Sequence, residues 1–209
     1  MRAPAAPAIL RGRGAPLAVI LPGIAGSHLY ADDRHVWLNP AGICTRGVRA
    51  LAYSRPRIRP TVTIQTYYAG LRRHLERTHT VKALAYDWRL PIQRTGAHLA
   101  QMMQGWMAED DQRPVHVVAH SMGGLVARMA FVHAPKLMQG FLAHRDSRLL
   151  MLGTPNGGSL AMALTLLGIG TTIKAAAALS PRESVADIAA IMRAWPGAIQ
   201  LLPRDMLNP

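Results

Sequence analysis

Four short apolar runs punctuate the chain, and each stops at a glycine-rich or charged motif. "LAVIL" (Leu17 to Leu21) ends at Pro22-Gly23, "VKALAY" (Val81 to Tyr86) at Asp87-Trp88-Arg89, "VHVVA" (Val115 to Ala119) at His120-Ser121, and "RLLMLG" (Arg148 to Gly153) at Thr154-Pro155. Runs this short and this apolar read as strands buried on both faces. Helical stripes fall between them. Tyr68, Leu71 and Leu75 at i, i+3, i+7 predict a helix over about 66–79. Leu99, Met102, Met103 and Trp106 predict a second, and "GGLVARMAFVHA" a third with Leu125, Val126 and Met129 on one face. Strands alternating with helices imply βαβ units: an α/β chain with a mainly parallel sheet covered by helices on both faces. Ligands of such sheets bind beyond the carboxyl ends of the strands, so "PGIAGS", "DWR", "HSMGG" and "GTPNGGS" are expected along one rim.

The 209 residues suit a single domain, 1–209. Ala31 to Pro60 is its least regular part. Lys and Arg number 24 against 11 Asp and Glu, a formal charge of +13. That excess reads either as a solvated basic surface or as attraction to an anionic membrane. Nucleic-acid binding ranks low, because no aromatic side chains interleave with the arginines. The single Cys44 excludes an internal disulfide framework, and the nine histidines show no metal spacing, so neither metal nor cofactor is expected. Prolines and arginines interrupt the N-terminal apolar residues, which argues against a signal peptide. The longest uncharged stretch, Leu149 to Ile173, is broken by "GTPNGGS". Its remainder, "LAMALTLLGIGTTI", is about half a membrane span. It reads as a lid helix or as a core helix. The expectation is a cytoplasmic chain with peripheral membrane contact possible through the arginines.

Ser121 stands between a buried strand and a helix, with Ala119 two before it and Gly123 two after. This is the pattern of a nucleophile elbow, a turn so tight that only Gly or Ala fits at those places. The alternative is a serine that merely caps the helix. The turn lifts the hydroxyl above the sheet, and the helix aims its free N–H groups at developing negative charge. An oxyanion hole needs two such donors. One is the N–H of Met122. The other comes from the loop after an earlier strand, where Ile24 follows Pro22-Gly23.

"LPGIAGSHL", "YDWR", "AHSMGG", "LGTPNGGS" and "PGAIQLLP", in that order, resemble the lecithin:cholesterol acyltransferase family of α/β-hydrolases, especially its bacterial, lipase-like branch. The resemblance spans roughly Leu17 to Pro203. It implies an acyl-enzyme on Ser121 formed from a lipid or other ester, with transfer to water or an alcohol, as in a lipase, phospholipase or O-acyltransferase. It matches Ile24 and Met122 to the oxyanion donors and Asp87, with Trp88 and Arg89, to structural support of the rim. Gly23, His120 and Gly123 support the elbow. Ala31 to Pro60, with Trp37, takes the place of a lid or substrate-contact loop, and Arg46, Arg49, Arg55, Arg57 and Arg59 there read as solvated or as meeting lipid phosphates.

His120 is not expected to be the base, since adjacent residues at an elbow project in different directions and this fold carries the acid and histidine after later strands. His133 ends the helix leaving the elbow. His144 and Asp146 precede a strand, at the wrong end of the sheet. Asp187 falls in a helix, and Asp205 lies near the last residue. The triad acid and histidine are therefore expected beyond Pro209, and the sheet to be incomplete at its C-terminal side. The competing reading is an inactive interaction module that keeps the fold without the triad.

Overall fold

The structure, a computed structural model, describes residues 14–54, 57–110 and 113–203, the side chains of residues 45 and 46 excepted. The signal-peptide reading of residues 1–13, the Arg46 side chain, Arg55 and Asp205 lie outside that description. The chain runs β1 (Leu17–Leu21), β2 (Ser27–Ala31), β3 (Arg34–Trp37), α1 (Pro40–Arg46), a 3-10 turn (Arg49–Leu51), β4 (Ile58–Thr63), α2 (Gln65–Leu75) and β5 (Thr80–Ala83). It continues through α3 (Ile92–Ala108), β6 (Val115–His120), α4 (Met122–His133), α5 (Pro135–Ala143) and β7 (Arg148–Leu152). It closes with α6 (Leu160–Leu166), α7 (Thr171–Leu179), α8 (Val185–Arg193) and α9 (Pro196–Ile199).

The expected parallel sheet is present, in the order β5-β1-β6-β7 and flanked by helices. β1 is buried along its whole length because it pairs in parallel on both sides. Its register on β6 sets Leu21 against Ala119, so the loop after β1 and the turn after β6 leave the sheet side by side. The stripe of α3 faces the core: Leu99 and Met103 are buried, and Met102 and Trp106 pack against them. α3 and α4 lie against each other, with Gly96 under Met129.

Boundaries differ from expectation by a few residues. α2 ends at Leu75, and Thr78 and His79 turn into β5. β5 is Thr80–Ala83; Leu84 N–H still donates to the Ile20 carbonyl, after which the chain bends toward Asp87. β6 includes His120, and β7 stops at Leu152, where Gly153 has φ +59°. β7 edges the described sheet, with Leu150, Met151 and Leu152 exposed.

The larger correction concerns 31–60. It is built rather than irregular, holding β3, α1 and part of a three-stranded antiparallel sheet of order β3-β2-β4. α1 begins at a cap visible in the sequence: the Asn39 side chain accepts from Gly42 N–H, and Pro40 takes the first helical position. Among the described arginines of this region, Arg49 pairs with Glu183 and Arg59 with Asp33.

A second, smaller core joins α1 to α7 and α8 through Ile43, Val48, Ile173 and Ile188. Glu183, buried beside it, accepts from the Ser180 hydroxyl and Val48 N–H and pairs with Arg49. No single helix among the described residues is long and apolar enough to cross a membrane; α6 and α7, bent by 45°, reach that length only together. α6 packs one side into the core. Met162, Ala163 and Leu166 are buried while Leu160 and Leu167 face solvent.

Two histidines hold the lower edge of the sheet. The Asp146 carbonyl can only accept, so His116 Nε2 donates to it (2.9 Å). His116 Nδ1 then accepts from His79 Nε2 (2.7 Å), and His79 Nδ1 from the Thr78 hydroxyl (2.8 Å). Burial, and next the charge of a protonated His116, push His79 below its ordinary value of 6.5. A histidine with a lowered folded value takes up its proton more readily when unfolded. Its stabilising contribution is therefore present above pH 6.5 and lost as pH falls through the lowered value. His28, lowered by burial and by His35, acts in the same direction. Thermal melts across about pH 5 to 8 should show stability falling on the acid side, with a shallower slope for His79→Gln. An unchanged slope in that variant would remove His79 from the account.

Candidate active site

Ser121 sits at φ 52°, ψ −124°, a left-handed conformation that a serine adopts only when its surroundings enforce it. They do so through β6 and α4. Ser121 N–H donates to the Leu152 carbonyl of β7 (2.8 Å), and one residue later α4 begins. The spacing rule read from the sequence has a concrete cause. A Cβ at Gly123 would stand 2.7 Å from the carbonyl oxygens of both Leu21 and Pro22, so the start of α4 packs directly on the end of β1. Ala119, two residues before the serine, is fully buried between β1 and β7.

The loop after β1 crosses the elbow at contact distance. A Cβ added at Gly23 would lie 2.9 Å from Ser121 Cβ and 3.4 Å from its Oγ, which leaves glycine as the residue that fits. The Gly23 carbonyl accepts from Gly26 N–H (3.0 Å), closing a tight turn, while no partner is present for Ile24 N–H among the described residues. Met122 N–H belongs to the first turn of α4, whose donors have no intrahelical acceptor. Ile24 and Ser121 line one cavity, and Met122 follows the serine directly in the chain.

The serine opens onto an apolar cavity of about 360 Å³, whose wall includes Ile24, Trp37, Leu51, Met162 and Ile188. Trp37 therefore reaches this cavity from the 31–60 region. Its indole donates to the Ala25 carbonyl (2.8 Å), and its ring meets Trp88 edge-on.

Asp87 lies in the rim as a brace. Its carboxylate is buried and takes both Arg89 Nε (2.9 Å) and Nη2 (2.7 Å). Arg89 Nη1 donates to the carbonyls of Leu51 and Ala52, tying the 31–60 region to the sheet. Between them Trp88 donates to the Ser27 carbonyl and packs on Trp195, whose own indole donates to Leu51.

Ser121 Oγ has no hydrogen-bond partner among the described residues. His120 is turned to Tyr68, whose hydroxyl lies 2.9 Å from its Nδ1. His133 ends α4, and His144 and Asp146 precede β7, at the opposite end of the sheet from Ser121. Asp187 closes the capping box of α8 with Ser184, whose hydroxyl and N–H hold its carboxyl below the usual range. Tyr68 is the participant that sequence reasoning missed; its only signal was a place in the stripe of α2.

Replacing Arg89 with Leu should leave the Asp87 carboxylate buried and unpaired, at a cost of about 3–5 kcal/mol. Urea unfolding measures this, and replacing Asp87 by Leu as well should recover part of the loss. A single variant as stable as the parent would show that the pair braces nothing.

The chain is 30% identical over 63 residues to the uncharacterized protein YJR098C of Saccharomyces cerevisiae, covering 30% of this chain and 10% of that protein. It is similar to the crystal structure of Bacillus licheniformis lipase BlEst2 in its mature form, with a TM-score of 0.45 and 16% identity, over 93% of this chain and 66% of the lipase. Residues 68–206, which contain Asp87 and the elbow, match the family described as lecithin:cholesterol acyltransferase, and the chain belongs to that family.

Proposed function

We propose that the chain is a serine-dependent lipid-ester hydrolase or O-acyltransferase, of the lipase, phospholipase or acyltransferase class, acting through an acyl-enzyme on Ser121. The observation that carries this reading is a strained serine between two backbone donors, Ile24 and Met122, on the wall of an apolar cavity. Family membership supports the general class. In the proposed reaction the acyl chain lies in the cavity. Ser121 Oγ attacks the ester carbonyl carbon as a base takes its proton. The oxygen that becomes negative turns toward Ile24 and Met122 N–H; one such donor contributes on the order of a hundred- to a thousandfold in rate. The carbon–oxygen bond to the alcohol then breaks, and the proton passes to the departing oxygen. Water or a second alcohol attacks the acyl-serine by the reverse of these steps.

The reaction needs a histidine, held by an acid, as proton acceptor, and none of His120, His133 and His144 is placed for it. His120 has its Nδ1 committed to Tyr68, and His133 and His144 lie away from the serine. The unpartnered Oγ also favours a second reading, a module that binds an acyl chain without turning it over.

One experiment separates them, made on the gene product with whatever follows Pro209 included. A fluorophosphonate probe should label Ser121 and short nitrophenyl esters should be hydrolysed, both lost in Ser121→Ala. Loss of a triad member costs on the order of a millionfold. His120→Gln should cost about ten- to a hundredfold, the scale of a small misplacement. A folded protein that takes up a fluorescent fatty acid but leaves Ser121 unlabelled would establish the binding module. Labelling that survives Ser121→Ala would sink the assignment of Ser121 as nucleophile.

A further inference from the structure

The loop that carries the Ile24 donor is held by a hydroxyl with no part in the reaction described above. Tyr68, at the start of α2, is nine-tenths buried, and its hydroxyl comes within hydrogen-bonding distance of two groups: Gly23 N–H (2.9 Å) and His120 Nδ1 (2.9 Å). Donor and acceptor roles follow from chemistry alone. An amide N–H only donates, so the hydroxyl accepts from Gly23 and has one proton left. That proton points to His120 Nδ1, which accepts it when the ring is neutral. His120 then carries its own proton on Nε2.

The same loop is pinned from its other side. The Tyr86 hydroxyl donates to the Pro22 carbonyl, so both ends of the Pro22–Gly23 peptide are fixed by buried tyrosines. The next peptide is fixed by the Gly23–Gly26 turn. In a trans peptide the N–H opposes its own carbonyl. Tying the Gly23 carbonyl to Gly26 therefore turns Ile24 N–H away from that bond. Burial pushes the Tyr68 hydroxyl above its ordinary value, so it keeps the proton this chain of bonds needs.

We infer that Tyr68 is a positioning residue of the acyl-transfer site: its hydroxyl links Gly23 N–H to His120 Nδ1, holding the oxyanion loop against the elbow and selecting the Nε2–H form of His120. The positioning of a donor rests on the function proposed above; the hydrogen-bond link itself does not. Tyr68→Phe removes one oxygen and keeps the ring. Nitrogen-15 NMR of the histidine side chains, with His120→Gln to assign the signal, should find neutral His120 protonated on Nε2 in the parent protein and a mixture of forms in Tyr68→Phe. Amide exchange at Gly23 should quicken at least about tenfold in the variant. Where Ser121 labels with a fluorophosphonate, the maximal labelling rate should fall about ten- to a hundredfold while the half-saturating probe concentration stays within about twofold. A parent protein with His120 protonated on Nδ1 overturns the inference even if the variant fails to fold. Gly23 exchange unchanged in a folded variant also overturns it. Should Ser121 prove unreactive in the parent, the nucleophile assignment fails, and the NMR and exchange results still decide the link.

Discussion

The rim of this protein depends on the parallel pairing of β1 with β6. Because Leu21 lies opposite Ala119, the two chains leave the sheet together, and the Pro22–Gly23 loop has nowhere to go but across Ser121. At Gly123 backbone packs on backbone, leaving no room for a Cβ beside the carbonyls of Leu21 and Pro22, and at Gly23 backbone packs on the Ser121 side chain. A slip of one residue in this register would turn every side chain of the shifted strand to the other face of the sheet. β1 is buried on both faces, and in β6 the slip would send Val115, Val117 and Ala119 to the side where His116 and His120 stand, so the core would have to be repacked.

Around this junction the fold spends its buried polar groups on holding loops. Asp87 and Arg89 offset their own desolvation with two short bonds, and Arg89 Nη1 reaches out to Leu51 and Ala52. A buried ion pair is a poor source of net stability, but it is exacting about geometry. Here that geometry sets where the 31–60 region stands over the cavity. The edge-to-face contacts of Trp37, Trp88 and Trp195 continue the same tie with apolar surface, and each indole N–H finds a carbonyl. Tyr68 and Tyr86 do for the Gly23 loop what Arg89 does for the 31–60 region.

Much of the architecture was legible in local pattern. Runs such as "LAVIL" and "VHVVA" can be buried only as inner strands, and the spacing of Leu99, Met103 and Trp106 serves only a helix with one wet face. The tight turn at Ser121 was legible because steric crowding leaves so few residues possible at position 123. The antiparallel sheet of β2, β3 and β4 was not legible. Its strands are short and half exposed, with polar residues such as Arg34 and Arg59 facing out, and they are stable only as a set of three.

By itself the sequence determined the α/β class, the identity of the rim motifs and the serine on which the site is built. Each of these rests on neighbours within a few residues, where steric rules act directly. Tertiary structure alone decided which groups meet across distance. Tyr68 and His120 are 52 residues apart, Arg89 and Leu51 38, Trp195 and Leu51 144. Periodicity placed Tyr68 on the inner face of a helix but assigned no partner to its hydroxyl. A hydroxyl acts through whatever donor and acceptor the packing brings within about 3 Å, and that is set by how α2 docks on the sheet, a choice made by the whole core at once.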